Sequence, residues 1–314
     1  MRCVDLFAGV GGIRLGFENA GFNTVFSNDF EPACKETFDL NFNDSPLLIE
    51  DINNLDNDSI PDFDILLGGF PCQPFSIAGY REGFKDLKGR GNLFFRIAEI
   101  IEQKKPRVVF LENVKNLESH DNGKTFRIIR ATLEDLGYVV KSEIVNTMSH
   151  GNLPQNRERI LIVAFLDKNV ADNFSFPEKI KLNKEIQDLL ENDVDEKYYY
   201  EGKPLYDKLK GDIIKRNTAY QWRRKYVREN KSEVVPTLTA NMGTGGHNVP
   251  IVLDDKGIRK LTPRECFIFQ GFPKSYKLPD IADSKLYQQA GNSVSITVIE
   301  RVARNIRKAL ENGN

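Results

Sequence analysis

The chain has 314 residues, of which 40% are hydrophobic and 28% are charged, the composition of an ordinary globular protein with one large domain or one domain plus a smaller one. The formal net charge is −1, which excludes global basicity, so a surface for nucleic acid must be a local patch. No apolar run reaches membrane-spanning length and the N-terminus lacks a signal-peptide pattern, so we expect a cytoplasmic protein without membrane association.

Strands and helices alternate over about the first 136 residues. The predicted strands cover residues 2–7, 24–28, 65–67 and 107–111, and the predicted helices begin near Ile13, Pro32, Asn92 and Phe126. A nearly continuous apolar run such as residues 107–111 suits a parallel strand that is buried on both faces. The alternation predicts an α/β fold with a doubly wound, mostly parallel sheet. Residues 138–145 and 159–165 are two further predicted strands, which we expect to pair with each other.

The composition changes after about Phe174. Residues 185–207 contain eight acidic residues and two lysines, whereas residues 208–231 contain nine Lys or Arg and two acids. A polar, glycine-rich loop follows at residues 237–248, and helical periodicity returns from Leu261 onward, with a final helix near residues 294–310. We therefore predict a separate small domain with a basic face over residues 173–259.

The four cysteines form no Cys-x-x-Cys pair; they are Cys3, Cys34, Cys72 and Cys266. Their spacing fits neither a zinc site nor a disulfide framework, and the three histidines also lack metal-ligand spacing. We therefore expect no metal and a reduced cytosolic setting.

A glycine turn, Phe7-Ala8-Gly9-Val10-Gly11-Gly12, joins the first strand to the first helix. Such a turn allows close approach of a ligand, and the helix N-terminus offers free N–H groups, as in nucleotide-binding folds. The dinucleotide fingerprint requires a sixth-position glycine, but this chain has Arg14 there, which disfavours NAD.

Acidic residues follow the next two predicted strand ends. Asp29 stands where an acid can hold ribose hydroxyls, and Phe30 beside it can lie on an adenine ring. Asp51-Ile52 follows a short apolar stretch and can contact the adenine edge. This pattern suits S-adenosylmethionine; the alternative interpretation is a plain turn with surface carboxylates.

Gly68-Gly69-Phe70-Pro71-Cys72-Gln73-Pro74-Phe75-Ser76 bends after the third predicted strand. The glycines allow the turn, and Pro71 and Pro74 fix φ on both sides of Cys72, so the thiol is held in place. A cysteine in a stiffened loop beyond a strand end is positioned for chemistry, whereas a buried structural cysteine is the commoner fate of an isolated Cys. The local sequence leaves both interpretations open.

Glu112 ends the strand after this loop, and Arg157 and Arg159 precede a later one. Because neighbouring parallel strands deliver their carboxyl ends to one crevice, we expect Glu112 to face the same cleft as Cys72. A carboxyl in a closed pocket can stay protonated and donate a hydrogen bond, although an acid that caps a helix is the alternative. On one strand, Arg157 and Arg159 would share a face and could grip a phosphate or a base; a solvated edge is the alternative.

In their order along the chain, these motifs resemble those of a DNA (cytosine-5) methyltransferase of the compact bacterial restriction-modification type. The matches span nearly the whole chain, with a variable segment between Arg159 and Arg264. They are Phe7–Gly12, Asp29-Phe30, Asp51-Ile52, Phe70-Pro71-Cys72-Gln73, Leu93-Phe94-Phe95, Glu112-Asn113-Val114, Gln155-x-Arg157-x-Arg159, Arg264-Glu265 and Gly291-Asn292-Ser293-Val294. The family usually has Glu after the second strand, but the shorter Asp29 should still reach a ribose.

The resemblance implies the class I S-adenosylmethionine-dependent methyltransferase fold, with a catalytic domain over residues 1–172 and 260–314 and a target-recognition domain over residues 173–259. S-adenosyl-L-methionine is then the methyl donor and S-adenosyl-L-homocysteine the product. The residues implied to bind it are Phe7, Ala8, Gly9, Val10, Gly11, Gly12, Asp29, Phe30, Asp51, Ile52, Pro71, Leu93, Asn292, Ser293 and Val294.

The resemblance also implies catalytic roles. Cys72 attacks carbon 6 of a flipped cytosine, which activates carbon 5 toward methyl transfer. Glu112 offsets the charge that develops on the ring, Arg159 holds the cytosine carbonyl oxygen, and Arg157 supports Glu112 or the DNA backbone.

Double-stranded DNA is the expected partner. Basic side chains of the segment 208–231 can neutralise phosphates, and the polar loop at 237–248 can contact base edges. The expected DNA-binding residues are Gln73, Ser76, Arg81, Arg223, Arg224, Arg228, Thr237, Thr239, Asn241 and His247. We expect a monomer, because one chain carries all the parts, and the resemblance also implies a cognate restriction endonuclease that acts separately.

Three other functions are alternatives for this sequence. A tRNA cytosine-5 methyltransferase shares the catalytic core, but its members usually have Pro-Pro-Cys rather than Phe70-Pro71-Cys72 and lack such a recognition segment. A non-catalytic regulatory homologue is expected to have lost the nucleophile or the acid, whereas Cys72 and Glu112 are both present. An NAD-dependent oxidoreductase is disfavoured by Arg14.

Overall fold

The computed structural model describes residues 1–71, 93–244 and 249–313. The chain divides into two compact units. The first comprises residues 1–145, 158–177 and 299–314, and the second comprises residues 146–157 and 178–298.

The strands and α-helices of the described residues are as follows. The strands are β1 (Arg2–Leu6), β2 (Asn23–Asp29), β3 (Leu48–Ile49), β4 (Ile65–Gly68), β5 (Val108–Val114), β6 (Val139–Asn146), β7 (Gln155–Asn156), β8 (Glu158–Phe165), β9 (Tyr220–Trp222), β10 (Val227–Glu229), β11 (Val235–Pro236), β12 (Ile251–Leu253) and β13 (Ile258–Lys260). The helices are α1 (Gly12–Asn19), α2 (Pro32–Asp39), α3 (Leu93–Lys104), α4 (Lys124–Asp135), α5 (Thr147–His150), α6 (Lys168–Asp172), α7 (Tyr206–Leu209), α8 (Pro263–Phe269), α9 (Asp283–Asn292) and α10 (Ile296–Asn312).

The first unit is built on a seven-stranded sheet with the order β3-β2-β1-β4-β5-β8-β6. The neighbours from β3 to β5 are parallel, and β8 runs antiparallel to β5. The apolar residues of β4 and residues 108–111 of β5 are fully buried, as expected for parallel strands covered on both faces. The prediction of a doubly wound, mostly parallel sheet is confirmed, and so is the adjacency of the strands near 138–145 and 159–165.

The strand order reverses between β1 and β4. In register, Leu6 pairs with Asn28 of β2 on one side and with Gly68 of β4 on the other. Such a reversal leaves a crevice outside the carboxyl ends of the strands, where ligands of α/β sheets bind. The glycine turn follows β1 directly, so the sequence brings it to this crevice.

The second unit contains a four-stranded sheet, β10-β9-β12-β13, whose neighbouring strands are antiparallel, and a two-stranded sheet, β11-β7. Its core contains Leu209, Tyr220, Trp222, Ile251 and Ile258. Two of the three aromatic residues of the basic segment are therefore core residues, since Tyr220 and Trp222 are buried and only Tyr226 is exposed.

The compact units differ from the predicted domain boundaries. Residues 146–157 and 260–298 belong to the second unit, although we expected both segments in the catalytic domain. The hydrogen bond from Gln155 to the carbonyl of Phe269, at 2.9 Å, joins these two segments, and β7 in the first of them also pairs with β11. The functional division into catalytic and target-recognition domains stays a prediction. In the described ranges, no helix combines the length and the apolar character needed to cross a membrane.

Candidate active site

The turn after β1 has an unusual backbone that glycine allows. Gly9 and Gly11 have φ values of 54° and 76°, and Gly11 donates its N–H to the carbonyl of Ala8 at 2.8 Å. A Cβ atom added to Gly11 would lie 2.3 Å from the ring of Phe42. Around Gly9, in contrast, a Cβ would meet no atom of the described residues within 4 Å, so this side of the turn is open to a ligand.

Asp29 at the end of β2 is joined to this turn. Its Oδ2 accepts the N–H of Gly9 at 2.8 Å, and its Oδ1 accepts the N–H of Glu31 at 2.9 Å. Burial raises the pKa of Asp29, and the N–H groups of Glu31 and Gly9 oppose that rise. Each carboxylate oxygen has a further lone pair, so the predicted bond to a ribose hydroxyl stays possible.

The other predicted cofactor residues at these strand ends differ in exposure. Phe30 has 67% of its surface exposed. Asp51 is exposed, and its Oδ1 accepts the N–H of Asn53 at 2.9 Å. Ile52 is buried in the hydrophobic core, so its side chain is committed to packing. Phe30 and Asp51 thus have side chains accessible to a ligand, and Ile52 does not.

Arg14 explains why the turn departs from the dinucleotide fingerprint. Its fully buried side chain forms ion pairs with Glu18 at 2.7 Å and Asp44 at 2.6 Å. Its guanidinium lies 4.3 Å from the ring centroid of Phe42, the residue whose ring also closes on Gly11. The sixth position is therefore filled by an anchoring side chain rather than by the glycine that allows close helix–strand packing in dinucleotide-binding proteins.

The segment before the candidate nucleophile is fixed to β5. Gly68 pairs with Leu111 in register, and the side chain of Asn113 donates to the carbonyl of Phe70 at 2.8 Å. A Cβ atom built on Gly69 would lie 3.9 Å from Oε2 of Glu112. Glu112 therefore lies beside the backbone of Gly69, which leads into Phe70-Pro71; that it faces the same cleft as Cys72 stays a prediction.

Cys72 itself lies outside the described residues, as do Gln73, Ser76 and Arg81. Pro71, at the near end of that gap, is exposed. Leu93, at its far end, is half-buried and packs against the hydrophobic core.

Glu112 and Arg159 form an ion pair, with 2.9 Å between Oε1 and Nε. In the antiparallel pair of β5 and β8, Arg159 stands opposite Val114, two residues from Glu112. Residues two apart on a strand share a face, so both side chains project from the same side of the sheet. Glu112 is 8% exposed. A carboxylate and a guanidinium thus meet next to the entry to the Cys72 loop.

Arg157 does not continue this strand, so the expected sharing of one strand face by Arg157 and Arg159 is wrong. The chain leaves β7 at Asn156 and enters β8 at Glu158. Arg157 is buried and donates to the carbonyls of Leu238, at 2.8 Å, Gly291, at 3.3 Å, and Ser293. These backbone acceptors hold its side chain within the second unit, to which Arg157 belongs. Its predicted catalytic role stays a prediction.

The predicted cofactor residues Asn292, Ser293 and Val294 lie in the second unit, where α9 ends. Asn292 is exposed, whereas Ser293 and Val294 are buried. The carbonyl of Ser293 accepts a hydrogen bond from Arg157, which fixes this segment.

The predicted DNA-contacting side chains of the second unit are in part exposed. Arg223, Arg224 and Arg228 are exposed around the hairpin of β9 and β10. Thr239, also exposed, donates to Oδ1 of Asn241 at 2.6 Å. Thr237 donates to the carbonyl of Asn156 at 2.7 Å, so its hydroxyl proton is engaged. His247 lies outside the described residues.

Two residues of this region had no predicted role. Asn113 follows Glu112 directly, and its side chain donates to the carbonyl of Phe70. A polar side chain at the end of an apolar strand is the sequence feature that could have indicated this role. Asp5 is fully buried in β1, where burial raises its pKa to about 8 while the charge of Arg14 opposes the rise. Within the described ranges, no group of three or more His, Cys, Asp or Glu is arranged to hold a metal ion.

The chain is similar to known proteins over nearly its whole length. Residues 1–308 match a family described as C-5 cytosine-specific DNA methylase. The chain is 53% identical to the Type II methyltransferase M.Bsp6I of Bacillus sp. (strain RFL6), with 99% of both chains covered. It is 39% identical to the Type II methyltransferase M.HhaI of Haemophilus parahaemolyticus, over 99% of this chain and 95% of that protein. The fold is similar to the crystal structure of S. pombe Dnmt2 methyltransferase, with a TM-score of 0.76, 22% identity and 99% of both chains covered.

Proposed function

Because the chain belongs to the C-5 cytosine-specific DNA methylase family, and is thus a DNA (cytosine-5) methyltransferase, we propose that it methylates one cytosine of a short duplex site through a covalent adduct of Cys72. The observation that carries this proposal is the arrangement at the ends of β4 and β5. Oε2 of Glu112 lies beside Gly69, and Asn113 holds the carbonyl of Phe70, two residues before Cys72. A tRNA substrate, the alternative that the sequence leaves open, is not favoured by the DNA methyltransferase relatives.

The residues at the ends of β1, β2 and β3 fit S-adenosylmethionine, which supplies an electrophilic methyl group. The open side of Gly9 admits a ligand close to the backbone, and Asp29 has free lone pairs for ribose hydroxyls. The exposed ring of Phe30 offers a face for the adenine. Asp51 is exposed at the adjacent strand end and can accept from the adenine amino group.

Cys72 provides the nucleophile. Its thiolate forms a bond to carbon 6 of cytosine, which turns the ring into an enamine with a nucleophilic carbon 5. Bound S-adenosylmethionine would supply the methyl group at that carbon and would leave as S-adenosylhomocysteine. A base then removes the proton from carbon 5, and the bond between Cys72 and carbon 6 breaks, which restores the aromatic ring and the thiolate. Carbon 6 is inaccessible within a stacked duplex, so the base must be flipped out, at a cost of a few kcal/mol.

Glu112 and Arg159 stabilise the ring during this addition. Attack at carbon 6 pushes electron density toward ring N3, where the carboxyl group of Glu112 can share a proton with the ring nitrogen. Arg159 lies 2.9 Å from Glu112, so it can hold the carboxyl in place while its remaining N–H groups donate to the cytosine carbonyl oxygen.

The second unit supplies DNA contacts in this proposal. Arg223, Arg224 and Arg228 are exposed and can neutralise phosphates without reading sequence. Thr239 and Asn241 are exposed polar residues that can reach base edges. Methylation of such a site would protect DNA from an endonuclease of the same specificity, so we place the enzyme in a restriction-modification system.

The test is a methyl-transfer assay with radiolabelled S-adenosylmethionine and either duplex DNA or tRNA, followed by bisulfite sequencing to find the modified site. We expect label at carbon 5 of cytosine in duplex DNA and none in tRNA. Label in tRNA alone, or label at a cytosine amino group, would contradict the proposal.

The covalent step is tested with a duplex that carries 5-fluorocytosine at the modified position. Fluorine cannot leave as a proton does, so the adduct persists and survives denaturing electrophoresis. We expect the adduct with the native enzyme and with Cys34→Ser, but not with Cys72→Ser. Cys34 is the matched control because it is buried in α2, outside the proposed site. An adduct in the Cys72→Ser protein would refute the nucleophile.

A further inference from the structure

A basic cavity in the second unit has no assigned role. Its volume is about 430 Å³, which is within the range of small-molecule binding sites. Three lysines line it, Lys197, Lys203 and Lys260, together with Tyr198 and Asp283. The lining therefore carries three positive charges against one negative charge.

The charges of the cavity are only partly balanced. Lys197 pairs with Asp283 at 3.2 Å, and Tyr198 donates its hydroxyl to the same carboxylate at 2.9 Å. In the part of the chain that the structure describes, neither Lys203 nor Lys260 has a carboxylate oxygen within 4 Å, although Lys203 donates to the carbonyl of Lys197 at 2.7 Å. These two lining lysines therefore have no ion-pair partner among the described residues.

Lys260 is held among aromatic rings. Its Nζ lies 5.5 Å from the ring centroid of Tyr198 and 5.6 Å from that of Tyr287. Burial lowers the pKa of Lys260; the charge of Asp283 opposes this, and those of Lys203 and Lys197 lower it further. An anion in the cavity would relieve that repulsion.

The cavity shares a wall with the loop that is expected to contact bases. Met242 and Gly243, at the end of the turn that begins at Ala240, line the cavity. A Cβ atom on Gly243 would lie 2.4 Å from the carbonyl oxygen of Ser284, so the turn is packed backbone against backbone on the start of α9. A phosphate in the cavity would therefore lie close to Asn241, whose side chain is exposed on the same turn.

We propose that this cavity binds a phosphate group of the DNA backbone next to the methylated site, with Lys203 and Lys260 as its cationic contacts. This inference rests on the proposed function. Phosphate contacts fix the register of a protein on the duplex, and a phosphate held on the same turn as candidate base-contacting residues would set their position. Free phosphate is the other source of the same chemistry, and the adjoining loop favours DNA.

The first test measures DNA affinity by fluorescence anisotropy over a series of salt concentrations. The proteins are the native enzyme, Lys203→Gln, Lys260→Gln, the double variant, and Lys256→Gln as the control. Lys256 is an exposed lysine of the same unit that does not line the cavity.

The plot of log affinity against log salt concentration has a negative slope, and loss of one phosphate contact makes that slope less steep by about 0.9. We expect that decrease in the double variant on both a methylatable and an unrelated duplex, because a phosphate contact carries no sequence information. A slope equal to that of Lys256→Gln would overturn the inference. If the native enzyme and this variant still methylate duplex DNA, the proposed function stands in spite of that failure.

The second test uses the native enzyme alone, so it does not depend on the folding of a variant. Lysines are acetylated with and without duplex DNA or inorganic phosphate, and the modified positions are read by mass spectrometry. Protection of Lys203 and Lys260 by DNA, with Lys256 unprotected, supports the inference. Protection by inorganic phosphate but not by DNA would assign the cavity to small anions and overturn the DNA source. The absence of protection by either would overturn the inference altogether.

Discussion

Replacement of Arg259 by methionine should selectively destabilise the second unit. Arg259 is fully buried, and its guanidinium binds both oxygens of Glu265, at 2.7 and 2.8 Å, and a carboxylate oxygen of Asp254. These carboxylates raise the pKa of Arg259 further, against the effect of burial. Glu265 is itself fully buried and also accepts the N–H of Thr262, which completes the capping box of α8.

The expected loss follows from the charge that remains. Arg259→Met leaves Glu265 buried without its cation, and removal of one partner of a buried ion pair costs about 3–5 kcal/mol. With a urea m-value of about 2 kcal/mol/M, a loss of 4 kcal/mol moves the unfolding midpoint by about 2 M. The single tryptophan, Trp222, is in the core of this unit, so its fluorescence reports the unfolding of this unit.

Two further variants check the reasoning. Arg216→Met removes an exposed arginine that pairs with Asp255, and it should change stability by about 0.5 kcal/mol or less. Arg259→Met combined with Glu265→Gln removes both charges and should recover part of the loss. A midpoint shift for Arg259→Met no larger than that for Arg216→Met would refute the ion-pair argument.

Three other predictions concern single positions. The pKa of Asp5 is about 8 in the folded state and near 4 in the unfolded chain, so the folded state keeps the proton to higher pH. The free energy of unfolding should therefore fall by about 1.4 kcal/mol per pH unit between pH 5 and 8. Asp5→Asn should flatten that slope in chemical denaturation. Gly291→Ala places a Cβ atom 2.2 Å from the backbone of Thr239, so it should destabilise the protein by about 1–3 kcal/mol in urea unfolding. The control is Gly211→Ala, where a Cβ meets no described atom within 4 Å, and it should not destabilise the protein. Glu112→Gln should lower the single-turnover rate constant of methyl transfer by about 10²–10⁴-fold, with DNA affinity nearly unchanged. An unchanged rate constant would remove Glu112 from the chemistry.

The parallel sheet was predictable because its signals are local. The apolar runs of β4 and β5 and the glycine turn after β1 each occupy a few consecutive residues. The predicted end of β5 at Leu111 was three residues short, because Glu112, Asn113 and Val114 are in the strand through pairing with β8. Polar residues in a strand give no local signal when a distant partner provides their hydrogen bonds.

The position of Glu112 followed from topology, whereas that of Arg157 did not. Parallel neighbours bring their carboxyl ends to one crevice, so Glu112 beside Gly69 is a consequence of strand order. Arg157 is oriented by carbonyls 81 or more residues further along the chain, at Leu238, Gly291 and Ser293. The cavity around Lys260 is likewise assembled from distant segments, so no sequence window could indicate it.

The hydrogen-bond acceptors of Arg157 also affect which side chains of this enzyme can be substituted. Leu238, Gly291 and Ser293 offer it main-chain carbonyls, a group that every residue type supplies. Side chains around Leu238 can therefore change without loss of these bonds, as long as the backbone path is kept. A single arginine can thus secure a segment whose surface side chains can be replaced without loss of these hydrogen bonds.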